Sequence, residues 1–517
     1  MPDMTDERRA SSLDIADAEA RELAARAVGL ALECLAPGGE LPVFPDTSAE
    51  EVARLFRLPL PAEGVGLDAL ERDFREIVGH VRLNNHPRMF GYIASPATHA
   101  GAFASLVAAS LNANVTSWRS SPAATEVERT VVGWLAEMIG YAGGERDCGG
   151  LLTSGGSMAN LVALYVAHRT KAREGSDALR GESVHDASQE GLWDTGAPMT
   201  IYASDQVHLS IPKAADVLGL GRRQVRTVPS DENFMMDVRA LGELIDADAR
   251  RGLRPFCVVA SAGTVSTGAV DPLADIARVA RERALWFHVD GAYGVLAAAD
   301  ESRRHLFEGL GDADSVSLDP HKWLYTPVDC GCLLLRRAEL ARAAFAGTEE
   351  GYIKVFESGE DEAFAFWDYG VELSRPFRAL KVWATLRYHG ARKVAAAIAE
   401  DNALAGYLAA RVRESEDFEL LAPATLGICC FRYVPPGARR ELERAEGEDR
   451  ERLNARLDEL NERVMLRAQR AGRAYVSNAV LRGRFALRAS ITNFRTTRKD
   501  LDITLDALRG AAGDESS

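Results

Sequence analysis

Between about residues 100 and 380, short apolar runs recur with longer amphipathic stretches between them, and this alternation limits the fold more than any other feature of the chain. The runs at 199–203, 256–260, 285–289, 315–318 and 331–335 are too short for helices and read as buried strands. Helical spacing covers 126–139 and about 212–219, 238–251 and 272–284. A further short strand at 150–153 turns at Ser154-Gly155-Gly156-Ser157 into a helix through about Arg173. Strand and helix in alternation predict an α/β fold, a mostly parallel sheet with helices on both faces. Residues 171–198 are polar and Gly-rich, and read as an irregular loop or insertion.

The flanks differ. Residues 1–85 read as helices at 16–35 and 67–81, punctuated by Gly38-Gly39, Pro42 and Pro45. Such helices bury little alone, so this segment is expected to pack on another subunit. Beyond about 380, helices at 376–389 and 392–414 and a strand at 485–491 lead to a last helix in a smaller α+β domain. The charged stretch 436–470, with Leu442, Leu453, Leu457 and Leu460, reads as a solvated amphipathic helix. The expected division is 1–85, a helical dimerisation segment; 86–380, a large α/β domain; and 381–517, the small domain.

Two of the apolar runs end in chemistry. Asp319-Pro320-His321-Lys322-Trp323 follows the run 315–318, and Asp290 follows 284–287. Strands ending in an aspartate and a lysine suit pyridoxal phosphate (PLP): the amine forms an imine with the aldehyde and the carboxylate pairs with the pyridinium nitrogen. A lysine after a strand is commonly an exposed end-cap, and an aspartate there is commonly a turn or helix cap. Pro320 and Trp323 favour a partly dry pocket, in which a lysine becomes a usable nucleophile. The turn at Gly156 and Ser157 opens a helix, and backbone N–H groups there suit a phosphate. It is neither a P-loop nor a GxGxxG fingerprint. His208 follows another strand end; it is either structural or a ring-stacking proton donor.

Composition narrows the partners. A net charge of −15 over 517 residues argues against nucleic acid or an anionic membrane surface. No apolar stretch is long enough to span a bilayer, and Met1 to Ala10 does not resemble a signal peptide. Seven cysteines form no disulfide framework, and no Cys/His pairs complete a zinc site, so no metal is expected. The expectation is a reduced, cytoplasmic enzyme.

Jointly, the stretches 86–92, 117–126, 153–160, 204–208, 288–293, 319–323 and 377–381 resemble the group II PLP-dependent amino-acid decarboxylases, the family of aromatic L-amino-acid and glutamate decarboxylases. The resemblance covers most of residues 80–500. It implies a fold type I, aminotransferase-like large domain, and a homodimer with shared active sites acting on a small-molecule amino-acid substrate. Lys322 then resembles the Schiff-base lysine, Asp290 the pyridinium partner and His208 the stacking histidine. Gly156, Ser157 and His321 resemble phosphate ligands, and Thr264 the cofactor-proximal threonine. Asp319 stands where the aromatic enzymes carry Asn, and Val265 where some members carry a second threonine. Tyr352 resembles the mobile-loop acid that protonates the α-carbon, and Arg488 the arginine near the substrate carboxylate. Tyr92 and Ile93 align with the side-chain pocket, where Gly91-Tyr92 replaces the Asn-Gln of the glutamate enzymes. An aromatic substrate is therefore expected. An acidic or other non-aromatic substrate, and an aldehyde synthase, are the alternatives; Tyr352 argues against the synthase, which typically has Phe there. A non-catalytic scaffold does not suit intact Lys322, Asp290 and His208.

Overall fold

The computed structural model describes residues 13–36, 38, 41–141, 148–179, 197–345 and 364–513. Tyr352 and the stretch 180–196 lie outside the described residues.

Twelve strands form two sheets among the described residues. In chain order they are β1 (Met89–Phe90), β2 (Gly149–Thr153), β3 (Met199–Ser204), β4 (Val225–Val228), β5 (Arg254–Ser261), β6 (Trp286–Asp290), β7 (Ser315–Leu318), β8 (Gly331–Leu335), β9 (Phe418–Leu420), β10 (Ile428–Tyr433), β11 (Tyr475–Leu481) and β12 (Arg484–Ser490). The large sheet has the order β2-β8-β7-β6-β5-β3-β4. Pairs among β4, β3, β5, β6 and β7 are parallel, and β8 is antiparallel to both β7 and β2. β2 therefore points the same way as β7. Strands β3, β6, β7 and β8 are buried along their whole length, as strands inside a sheet covered by helices must be. Helix Gly156–Leu179 packs across β5 to β8, while Val238–Arg250 and Leu273–Glu282 pack on β5. Asp237 caps the first of these two, accepting the N–H groups of Arg239 and Ala240 at 2.9 and 3.0 Å.

This topology gathers the carboxyl ends of β2, β3, β5, β6 and β7 on one edge, where open α/β sheets bind their ligands. Register aligns Ser261, Asp290 and Ser317 across three adjacent strands there.

The small sheet has the order β1-β11-β12-β10-β9. It packs on helices Ala391–Glu414, Gly447–Arg470 and Arg498–Gly513 around Leu408, Phe418, Phe431, Leu487 and Leu505. β1 pairs parallel to β11, so residues just past 85 join the C-terminal sheet. Helix Ala379–His389 packs instead on His99–Leu111 and Pro122–Met138 of the large domain. The stretch 436–470 forms two helices, Pro436–Leu442 and Gly447–Arg470. The second is not simply solvated: buried Asn461 accepts the N–H of Tyr433 at 2.7 Å and donates to its carbonyl at 2.9 Å.

The N-terminal helices Asp17–Leu35 and Leu67–Gly79 are joined by Arg26 to Asp68 at 2.6 Å and by Arg75 to Glu33 at 2.9 Å. Exposed pairs of this kind stabilise little. Neither Ala49–Phe56 nor Leu67–Gly79 buries a residue, and Phe56, Phe74 and Ile77 are exposed.

One buried ion pair braces the carboxyl end of β2. Arg375 pairs with Glu128, donates to the Leu152 carbonyl at 2.9 Å and to the Val115 carbonyl at 2.8 Å, and Glu128 accepts the Leu152 N–H at 2.8 Å. Arg375→Met leaves a buried carboxylate alone, which is expected to cost about 3–5 kcal/mol. A melting temperature in Arg375→Met equal to the wild type would show that the pair does not hold this region.

Candidate active site

A cavity of about 330 Å³ opens at the carboxyl edge of the large sheet, lined by Gly156, Ser157, His208, Thr264, Asp290, His321, Lys322 and Ile93 among others. The sequence thus placed most of its candidate residues around one space.

Lys322 sits on the single turn Pro320–Trp323 directly after β7. Its Nζ lies 3.0 Å from Asp319 Oδ2. The flank of the lysine is rigid. Trp323 is fully buried and stacks on Tyr293 with centroids 4.9 Å apart. Its indole N–H donates to Asp401 Oδ2 at 2.9 Å, and the Tyr325 hydroxyl donates to the same oxygen at 2.7 Å. Burial pushes the Asp401 carboxyl up to about 7.

Asp290 ends β6 and is surrounded by donors. Oδ2 accepts from Asn160 Nδ2 at 2.9 Å; Oδ1 accepts from the Ser317 hydroxyl and the Ala292 N–H, each at 3.2 Å. His208 Nδ1 accepts the Ser210 N–H at 3.2 Å, so a neutral ring carries its proton on Nε2. Burial holds its pKa below the ordinary histidine value. His321 is likewise lowered by burial, and its Nδ1 accepts the Cys330 N–H at 3.1 Å.

The turn after β2 makes a cradle. A Cβ on Gly156 would stand 2.7 Å from Ala292 Cβ and 3.1 Å from Asp319 Oδ2, so the position has room for glycine but not for a side chain. Helix Gly156–Leu179 begins there, with its first N–H groups at the cavity wall. Asp319 Oδ1 is buried with no hydrogen-bond partner among the described residues. An amine, a carboxylate ringed by donors and a helix start on one cavity fit the aldehyde, ring nitrogen and phosphate of PLP.

The remaining candidates lie as follows. The Thr264 hydroxyl is engaged within its own turn, 2.9 Å from Thr267 Oγ1 and 3.2 Å from the Ala269 N–H. Val265 lines the cavity where a second threonine would stand. Tyr92 does not line it; its ring is 56% exposed, under the Arg82 guanidinium and beside Tyr475. Arg488 is buried behind the wall, donating to the Val265 and Tyr92 carbonyls at 2.8 Å each. Its Nη2 has no hydrogen-bond partner among the described residues. Tyr352 lies outside the described residues. Asn160, Ser210 and Ser317 were not singled out from sequence. The available signal for Asn160 was its spacing, one helical turn beyond Gly156 and so on the same face.

A site of this kind defines a PLP-dependent enzyme. Residues 50–434 match the pyridoxal-dependent decarboxylase conserved domain. The chain is 31% identical over 494 residues to an aromatic-L-amino-acid decarboxylase of Bacillus atrophaeus, covering 95% of each protein. Its structure superposes on mouse CSAD with a TM-score of 0.87 and 26% identity, covering 97% of this chain and 100% of the other. It superposes on Oryza sativa TDC with PLP and tryptamine with a TM-score of 0.86 and 28% identity, covering 98% and 100%. The chain belongs to the pyridoxal-dependent decarboxylase family, and is a carbon–carbon lyase that uses PLP.

Lys322 is the amine at the cavity floor, so reduction of the PLP-loaded protein with borohydride is expected to fix the cofactor there. Peptide mapping checks this; a label on another lysine would remove Lys322 from the role.

Proposed function

We propose that this protein decarboxylates an aromatic L-amino acid, releasing the amine and CO₂. The observation that carries the reading is the convergence of Lys322, Asp290, His208 and the Gly156 turn on one cavity, in a chain similar over 95% of its length to an aromatic-L-amino-acid decarboxylase.

Bound there, PLP supplies the electron sink for the pair of electrons left when the carbon–carbon bond breaks. Lys322 would hold the cofactor through its amine, the position the substrate amine would take during turnover. Asp290, held by three donors, would pair with the ring nitrogen. His208, on the cavity wall, would face the ring and present Nε2–H to it. Gly156, Ser157 and His321 hold the phosphate. Thr264 is assigned to the cofactor side of the wall, with its hydroxyl already spent in its turn. Arg488, whose Nη2 is the unspent donor, is assigned to the substrate α-carboxylate. Holding that carboxylate in one orientation would favour decarboxylation over transamination. Ile93, on the cavity wall, and Tyr92 beside it are assigned to the substrate side chain. Tyr352 is assigned to protonate the α-carbon.

The protein is proposed to act as a homodimer with shared active sites. Support comes from the exposed Phe56, Phe74 and Ile77 of the N-terminal helices and from Leu106, Val107 and Leu111 on helix His99–Leu111. A cytoplasmic location is proposed from seven cysteines that are all free.

The test is a panel of L-amino acids incubated with the PLP-loaded protein, with CO₂, amine and aldehyde measured together. Aromatic substrates are expected to give amine and CO₂ in equal amounts; turnover confined to acidic substrates would overturn the aromatic assignment. In Tyr352→Phe assayed under air, CO₂ release is expected to persist while aldehyde, with ammonia and peroxide formed from dioxygen, rises at the expense of amine. An unchanged product ratio and rate would move the proton-donor role to His208 or water. Sedimentation of active protein is expected to show a dimer, and an active monomer would refute the shared-site reading.

A further inference from the structure

Behind Asp290 lies a buried polar chain whose direction can be read from one end. A carboxylate offers only lone pairs, so Asn160 must turn its Nδ2 toward Asp290 Oδ2, at 2.9 Å. Asn160 Oδ1 then faces His288 Nε2 at 3.0 Å, and that nitrogen must carry the ring proton. His288 Nδ1 is left as an acceptor, and the Ser315 hydroxyl donates to it at 2.8 Å. The Trp286 indole N–H closes the chain, donating to Ser315 Oγ at 2.9 Å. Asn160, Trp286, His288 and Ser315 are all buried. Burial also lowers His288 to about 4, so the ring stays neutral and the chain keeps this sense at ordinary pH.

The other amide hydrogen of Asn160 serves His208. It donates to Ser210 Oγ at 2.9 Å, and the Ser210 hydroxyl donates in turn to His208 Nδ1 at 2.8 Å. A single amide therefore orients the carboxylate and supports the Ser210 hydroxyl, which joins the Ser210 N–H in keeping His208 Nδ1 an acceptor.

We propose that Asn160, oriented by His288, is the positioning residue that aims Asp290 at the cofactor's ring nitrogen. This rests on the reading of Asp290 as the ring-nitrogen partner. Without a donor at His288, the Asn160 amide loses what holds its Oδ1 away from the carboxylate. The amide is then held only by its contacts with Asp290 and Ser210.

The experiment compares dissociation constants for PLP and for its carba analogue, in which carbon replaces the ring nitrogen. The wild type is expected to prefer PLP. Asn160→Leu and His288→Phe are expected to reduce that preference about tenfold, as removal of a hydrogen bond to a charged group does, with affinity for the analogue little changed. Asp290→Asn is the reference for full loss. His288→Gln, which retains an N–H donor, is expected to keep most of the preference. A purely structural role would weaken both ligands alike, and that result in folded Asn160→Leu and His288→Phe overturns the inference. If Asn160→Leu fails to fold, the His288 variants decide: loss in Phe with recovery in Gln supports the inference, and equal preference in both overturns it. A wild type that binds PLP and the analogue equally overturns the reading of Asp290 itself, and the inference with it.

Discussion

A carboxylate at the end of a buried parallel strand has little water to solvate it, so the protein around Asp290 must supply donors. The fold meets this demand with Asn160 from the helix above the sheet, Ser317 from the neighbouring strand and the Ala292 backbone from the turn that follows. Each donor depends on the sheet register. Ser317 is opposite Asp290 only because β6 and β7 run parallel in the observed alignment. Asn160 reaches it only because β2 delivers its helix to the same edge, after β8 has reversed direction between β2 and β7. Strand order, helix placement and site chemistry are therefore one constraint.

The small domain closes the site from behind. Arg488, on β12, ties the Val265 and Tyr92 carbonyls together and so joins a loop of the large domain to the segment leading out of β1. β1 itself pairs with β11, which places the segment before the large domain within the C-terminal sheet. The cavity wall is thus assembled from parts distant in sequence, and its shape depends on how the two sheets are docked.

Legibility from the sequence followed burial. β8 stood out as an uninterrupted apolar run because both faces of a central strand are covered. β4 carries Arg226 and Thr227 on an edge and gave no such run, and β11 and β10 contain Asn478 and Arg432 within otherwise apolar strands. The helix Gly447–Arg470 looked solvated because Asn454 and Asn461 are polar, although both are buried against β10 by hydrogen bonds no local pattern announces. Lys322, Asp290 and the Gly156 turn were legible because their chemistry is local to a strand end. Asn160 was not, since its partners Asp290 and His288 lie more than a hundred residues away along the chain. Tyr92 aligned with a pocket, but a monomer leaves its ring in solvent under Arg82.

Asp401 belongs to helix Ala391–Glu414, yet both of its described side-chain bonds go to residues beside Lys322. An acid on one module thereby grips an indole and a phenol on the other. The consequence concerns modularity. The lysine-bearing turn and the C-terminal helix cannot be exchanged separately between relatives, because a transplanted turn that lacks Trp323 and Tyr325 would strand a buried acid. Any successful chimera of this scaffold must therefore cut the chain so that Asp401 travels with the lysine turn.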